Sequence, residues 1–287
     1  MRRFSPGLLA FRGRPSKARL DGVKPVASAA RADEPTEVAV NSRAAGSFGR
    51  QATPHRRFRF LGGFIHFLSY HLILARQSTR FTRAAGFRLA VRPTVFHPRY
   101  FISSECFAKF IDNLDLSGKR VVDIGTGSGI LALAAARAGA ENVIATDINP
   151  HAALTAAENA RTNGVGDRVI AVCADLLSAL APRPLFDVIL SSPPKHAGEP
   201  RDLADRGWHA GPNYRDIAAL FDQSRERLKP GGRLYVMVSS HSDLRLLSRL
   251  VDRAGFCARP VHKQSIFIDS LVIYELLARQ QAVSDAT

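Results

Sequence analysis

Cysteine is scarce in this chain of 287 residues. Three thiols, Cys106, Cys173 and Cys257, cannot make a disulfide framework, and their wide spacing offers no pair for zinc. They read as reduced, buried thiols, and no metal is expected. Long hydrophobic runs are missing as well. The longest uncharged stretch, residues 60–75, is too short for a membrane span. No compact apolar segment of a secretory signal is present, and there is no internal repeat. Acidic residues are nearly absent from the first third. Residues 1–99 carry 19 basic and 4 acidic side chains, whereas residues 100–287 carry 21 of each, so the whole net charge of +15 lies at the front. The hydrophobic fraction of 46% excludes a wholly disordered chain and leaves ample material for a core.

What is present divides the chain. Residues 1–55, rich in Arg, Ala, Ser, Gly and Pro without apolar periodicity, read as a disordered basic extension. Residues 56–99 form a lead-in with one helix at 60–75, where Leu61, Phe64, Ile65, Leu68 and Leu72 fall on one face. Such a helix packs on the following domain or touches a membrane surface or apolar partner. Residues 100–278 form the main domain, and 279–287 a tail. Apolar strands are expected at 87–91, 120–124, 142–147, 169–173, 186–190 and 234–238. Helices are expected at 103–114, capped by Ser103 or Ser104, at 128–138 with Gly139 as stop, from Asn149-Pro150 to Asn163-Gly164, at 214–228 and at 242–254. Pro230-Gly231-Gly232 reads as a helix stop. Near-continuous apolar strands alternating with helices mean an α/β fold with a mostly parallel sheet covered on both faces.

The strand at 120–124 runs into Gly125-Thr126-Gly127-Ser128-Gly129 and then a helix. Glycines there let the backbone approach a ligand and pack against the helix start. A dinucleotide-binding fingerprint is G-x-G-x-x-G, but here the third glycine comes one residue early, giving D-x-G-x-G-x-G from Asp123. Asp147 ends the next strand, where an acid can accept hydrogen bonds from both hydroxyls of a ribose. Ile148 follows and can pack on an adenine face, and Asp175 follows the third strand of this unit.

The segment 123–129 resembles motif I of the class I S-adenosylmethionine-dependent methyltransferases. The resemblance implies a Rossmann-like fold with a seven-stranded, mostly parallel sheet whose last strand, near 271–276, is antiparallel. It implies S-adenosyl-L-methionine as cofactor, held by Asp123, Gly125, Thr126, Gly127, Gly129, Asp147, Ile148 and Asp175, with Asp175 on the adenine amino group. The fourth strand ends in Ser191-Ser192-Pro193-Pro194-Lys195-His196. This looks like the (N/D/S)-P-P-(Y/F) motif of methyltransferases that modify planar nitrogens, either glutamine amides or the exocyclic amines of bases. The lone pair of a conjugated nitrogen is a poor nucleophile. A side-chain oxygen and an outward carbonyl that accept its N–H bonds favour attack, and a Pro-Pro turn fixes that carbonyl.

Two residues depart from the motif. Ser192 stands for the commoner Asn and still accepts. Lys195 stands for the stacking aromatic, which either arrives from Phe96, Tyr100, Trp208 or Tyr214 or is not needed because the acceptor is acidic or phosphate-bearing. Residues 97–105 are similar to the lead-in of release-factor glutamine methyltransferases, and 203–214, with the only tryptophan, fall where those relatives carry a substrate loop. The resulting expectation is a cytoplasmic enzyme that methylates a nitrogen of a protein side chain or an RNA base. Ser192, Pro193, Pro194 and Lys195 are its catalytic turn. Residues 1–99 are open to weak contact with nucleic acid or anionic membrane. Rival readings are a small-molecule or O-methyltransferase, and a cofactor-binding module without chemistry.

Overall fold

The computed structural model describes residues 78–98, 102–266 and 269–279. The basic extension at 1–55, the helix expected at 60–75, Tyr100 and residues 280–287 lie outside the described residues. Strands β1 (Arg80–Ala84) and β2 (Phe87–Val91) form an antiparallel hairpin. Then follow α1 (Ile102–Ile111), β3 (Arg120–Ile124), α2 (Ile130–Arg137), β4 (Asn142–Asp147), α3 (Pro150–Thr162), β5 (Val169–Cys173) and β6 (Phe186–Ser191). After α4 (Arg215–Arg227) come β7 (Leu228–Ser239), α5 (Leu244–Arg253), β8 (Phe256–Ile266) and β9 (Asp269–Ala278).

Seven strands make one sheet in the order β5-β4-β3-β6-β7-β9-β8. Strands β3 to β7 pair in parallel, and β9 runs antiparallel to both neighbours, as expected. Alternation along each strand splits the core in two. Val121, Val188 and Leu190 join α1, α2 and α3 on one face. Val122, Ile189 and Leu234 join α4 and α5 on the other. The chain steps from β3 outward to β4 on one side and returns to β6 on the other. The crevice at the carboxyl ends of β3 and β6 is therefore the topological switch point, where open α/β sheets bind ligands.

Several boundaries differ from the sequence expectation. Strand β1 was not anticipated, because Arg80 and Arg83 break its apolar run; its turn, Ala85-Gly86, has φ of 48° and 85°, the positive pair a tight hairpin requires. Helix α1 already runs at Ile102, so Ser103 and Ser104 lie in its first turn instead of capping it. Strand β7 starts at Leu228 and passes through Pro230-Gly231-Gly232. The register jumps from Phe186↔Leu228 to Val188↔Arg233, so the proline and glycines are absorbed as a bulge. Of the thiols, only Cys106 is buried, and burial pushes its pKa up; Cys173 at the end of β5 is exposed. Among the described residues no helix is long and apolar enough to cross a membrane, and no His, Cys, Asp and Glu group is arranged to hold a metal.

The hairpin is bound to the body through the outer edge of β2. Asn159 and Asn163 sit four apart on α3, about 6 Å along the helix, while Arg88 and Ala90 sit two apart on β2, about 6.7 Å along the strand. The near match lets each amide act as a strand residue. Asn159 Oδ1 accepts from Ala90 N at 2.7 Å and its Nδ2 donates to Ala90 O at 2.9 Å. Asn163 repeats this with Arg88 at 3.0 and 2.8 Å. Fully buried Asn159 also donates to Ser128 O at 2.8 Å, so one side chain joins the hairpin to the glycine loop. Replacing Asn159 by Ala leaves three buried backbone groups without their partner. Urea unfolding should show a loss of about 2–4 kcal/mol, against about 1 kcal/mol for Asn163→Ala at the exposed end. Equal small losses at the two positions would refute the clamp.

Candidate active site

Four adjacent strands deliver the chemistry-bearing residues to one edge. From the end of β3 the loop 125–129 turns back with φ of 70° at Gly125, 52° at Gly127 and 83° at Gly129. Side chains rarely adopt this region, which is why glycine recurs. A Cβ built at Gly125 or Gly127 would project into open space, and both line a cavity of about 420 Å³. That volume falls within the usual range for a small-molecule site. Gly129 differs: a Cβ there would come within 3.0 Å of Ala156 on α3. Its absence lets the two helices approach.

Asp147 ends β4 on the cavity wall. Its Oδ2 accepts from Gly127 N at 2.9 Å and its Oδ1 from Asn149 N at 2.9 Å. Burial raises its pKa, and these two amides pull it back. Ile148 and Asp175 line the same cavity, and Asp175 is exposed with no side-chain partner among the described residues. Across the opening, β6 ends in the turn Ser192-Pro193-Pro194-Lys195, and all four residues line the cavity. The Ser192 hydroxyl has no hydrogen-bond partner among the described residues, unlike Ser191, which donates to Ile124 O at 3.0 Å.

The cavity therefore gathers ten of the twelve expected site residues. Asp123 and Gly129 are not on its wall. Asp123 is wholly buried beneath the loop, where Thr126 Oγ1 donates to its Oδ2 at 2.6 Å. It supports the loop from below and does not line the cavity. Burial pushes its pKa up to about 7, helped by the nearby Asp147 carboxylate and opposed by the Thr126 hydroxyl and the Ala132 amide.

The aromatic wall comes from outside the motif. Trp208 and Phe96 line the cavity with ring centroids 5.4 Å apart. The loop that carries Trp208 is anchored by buried Asp205, which accepts from Arg201 N at 3.0 Å and lies 3.2 Å from His209 Nδ1. Burial opposes its charge, but the Arg201 hydrogen bonds prevail and hold the carboxyl at about 2. Backbone bonds from His196 N to Trp208 O and from Ala210 N to His196 O fold this loop against the Pro-Pro turn. The Lys195 ammonium then lies 5.1 Å from the Trp208 ring centroid. Gly207 is obligatory, since a Cβ would fall 2.0 Å from the Phe96 ring. Tyr214, another candidate for stacking, has a different task. Its hydroxyl donates to Lys195 O at 2.8 Å and accepts from Asp243 N at 3.0 Å, pinning the turn from behind.

Sequence reasoning missed the cavity's ion pair, Arg206 and Asp216, 3.5 Å apart on its wall. The loop around Trp208 was singled out for its ring, and the arginine beside it was passed over. It also missed Asn149 as more than a helix cap: its amide reaches Thr94 O at 3.2 Å and Thr94 Oγ1 at 3.0 Å, tying the lead-in to the cavity.

The family of ribosomal protein L11 methyltransferases (PrmA) matches residues 104–192, from α1 to the first residue of the Pro-Pro turn. The L11 methyltransferase of Alteromonas mediterranea is 56% identical over 61 residues, and that of Vibrio vulnificus 54% over 61. The chain spans about a fifth of the length of these relatives. A solved L11 methylase from Lactobacillus delbrueckii subsp. bulgaricus superposes with a TM-score of 0.50 at 21% identity, covering 65% of this chain and 82% of that one. Methanocaldococcus jannaschii Trm5, solved in complex with adenosine, gives 0.52 at 17%, covering 72% and 58%. The fold is the class I methyltransferase fold.

Asp123 supplies a test of this arrangement. A carboxyl whose folded pKa lies near 7, above its value of about 3.9 in an unfolded chain, binds a proton more tightly when folded. Its contribution to stability is full below about pH 4 and is lost as pH rises through 7. Asp123→Asn should flatten the unfolding free energy between pH 4 and 8, measured by urea titration. A variant with the same pH profile as the parent protein would remove the buried acid from this account.

Proposed function

We propose that this chain is an S-adenosylmethionine-dependent methyltransferase acting on a nitrogen of a protein side chain or an RNA base, in the cytoplasm. The observation that carries the reading is the Asp147 carboxylate, fixed by the Gly127 and Asn149 amides at the rim of the glycine-lined cavity. Both its oxygens keep lone pairs for a ribose diol, since each accepts one backbone bond. Gly125 and Gly127 leave open space beside it, Ile148 offers an apolar surface to a purine, and Asp175 an acceptor to an exocyclic amine. The residues present fit the cofactor. When bound, S-adenosylmethionine supplies a methyl group on a sulfonium that is already activated.

The chain's own contribution is alignment. The Ser192 hydroxyl and the Pro193 carbonyl accept N–H bonds of the acceptor and turn its lone pair toward the cofactor half of the cavity. Tyr214 holds the turn rigid through Lys195 O. Trp208 takes over the stacking position that Lys195 vacates, and the ammonium lying over that ring makes the pocket unfavourable to a second cation. A flat, neutral nitrogen fits this better than an alkylammonium group.

Incubation of the protein with methyl-labelled S-adenosylmethionine and a cell extract split into protein, RNA and small-molecule fractions should place label in a macromolecular fraction. Label in the small-molecule fraction alone, or none despite cofactor binding, contradicts the proposal. Asp147→Ala should weaken cofactor binding by about ten- to a hundredfold in calorimetry. Ser192→Ala should leave that affinity unchanged and slow transfer by about tenfold. If both variants bind and turn over like the parent protein, the assignments of the two sides are wrong.

A further inference from the structure

The outer face of the β1–β2 hairpin has no place in the cofactor site, yet its composition is unusual. In the register of the hairpin Phe81 stands opposite Ala90 and Arg83 opposite Arg88, so Phe81, Arg83 and Arg88 share one face. The other face, with Ala84, Phe87 and Leu89, is buried in the core. Phe81 is 82% exposed, far more than any other large apolar side chain among the described residues. Arg83 and Arg88 are both exposed, and neither has an ion-pair partner among the described residues. Like charges directly opposite each other on paired strands repel, and an anion between them would relieve the repulsion. The one acid bordering this face, Glu158 on α3, is engaged by Arg92 at 2.8 Å. A hollow of about 530 Å³ separates the face from α3, bordered by Phe81, Arg83, Arg88, Glu158 and Thr162. In sequence, residues 38–104 contain eleven arginines and no acid.

We propose that this face is a docking platform for single-stranded RNA. An exposed ring on a rigid strand offers a flat surface to any base, and paired guanidinium groups beside it fit the phosphates on either side. The charge pattern also suits an anionic lipid surface, but a single ring buries too little apolar area to anchor a protein there. The rigidity has a visible source, since Asn159 and Asn163 lock the neighbouring strand to α3. From the platform the chain continues directly to Val95 and Phe96 on the cavity wall. The inference concerns binding alone and stands apart from the methyl-transfer reading.

The test uses the full chain and a fluorescein-labelled oligouridine in anisotropy titrations over a range of salt. Phe81→Ala should weaken binding by about tenfold, and Phe81→Trp should restore it. Arg83→Gln with Arg88→Gln should make the slope of log K against log salt shallower by about 1.4, as loss of two phosphate contacts on a single strand requires. These side chains are exposed, and unchanged cofactor affinity in calorimetry would establish that the variants are folded. Binding by all variants equal to the parent protein would overturn the proposal and assign RNA affinity to the arginines elsewhere in the chain. So would binding to vesicles containing phosphatidylserine with none to the oligonucleotide. If no protein, parent included, binds S-adenosylmethionine, the methyltransferase reading fails while the anisotropy result keeps its meaning.

Discussion

The glycine loop between β3 and α2 has to leave the sheet through three left-handed residues, and its own backbone bond, from Gly129 N to Thr126 O at 2.8 Å, spans only its second half. It is held from outside. Asp147 at the end of β4 accepts from Gly127 N, and Asn159 on α3 donates to Ser128 O. Gly125 N and Thr126 N both donate to Thr146 O at 2.9 Å. The Thr126 hydroxyl reaches down to Asp123. Every one of these partners except Asp123 comes from the next βα unit. The glycine-lined side of the cavity is therefore a property of two units packed in register, with Gly129 setting how closely they meet. Polar groups on a buried loop must find partners, and here the partners come from the elements that line the cavity.

The same economy explains what could be read from the sequence. The central strands were legible because each is a short apolar run bounded by Gly, Pro, Asn or Asp, and a parallel sheet buries both faces. The site was legible because the strand ends place it: the glycines, Asp147, Asp175 and the Ser-Pro-Pro turn fall at four successive strand ends whatever the detail of packing. Strand β1 was not legible. Arg80 and Arg83 interrupt its apolar run, and its pairing is decided by a turn with Ala in a left-handed conformation that Ala does not favour. The proline and glycines after α4 follow the end of that helix at Arg227 as expected, yet the next strand starts ahead of them at Leu228 and the sheet accommodates them as a bulge. Asn159 carries no sequence signal at all. Its role rests on the coincidence that four residues of helix nearly match two of strand.

On the acceptor side the departure from the expected motif resolves into a rearrangement. A motif aromatic would project from the turn itself. Here the ring comes from a separate loop, and three features bring it in. Asp205 fixes the loop, the His196 backbone pairs with it, and Gly207 leaves room for Phe96. The lysine that replaced the aromatic then lies over the ring that supplanted it. A lysine and a tryptophan together do more than one phenylalanine. The ring keeps the planar surface, and the ammonium places a positive charge beside it, next to the Arg206–Asp216 pair. A pocket with this balance favours electron-rich or anionic groups beside the ring.

The matched span of the L11 methyltransferase family ends at Ser192, and this boundary has a physical meaning. Under the proposed reading the chain up to that residue is constrained by a cofactor whose shape does not change, so the residues that would bind it are legible across distant relatives. Beyond it the same reading makes the acceptor the constraint, and the loop 195–214 has its own arrangement with Lys195, Trp208 and Tyr214. Likeness in the first half therefore carries little information about the second. The hairpin before α1 lies outside the matched span as well, although Asn159 within that span fixes it in place. The hairpin and the loop carrying Trp208 are thus both joined to the matched span by hydrogen bonds from residues of that span or its immediate flank. Either appendage can therefore vary while Asp147, Asn159 and the glycine loop keep their hydrogen bonds.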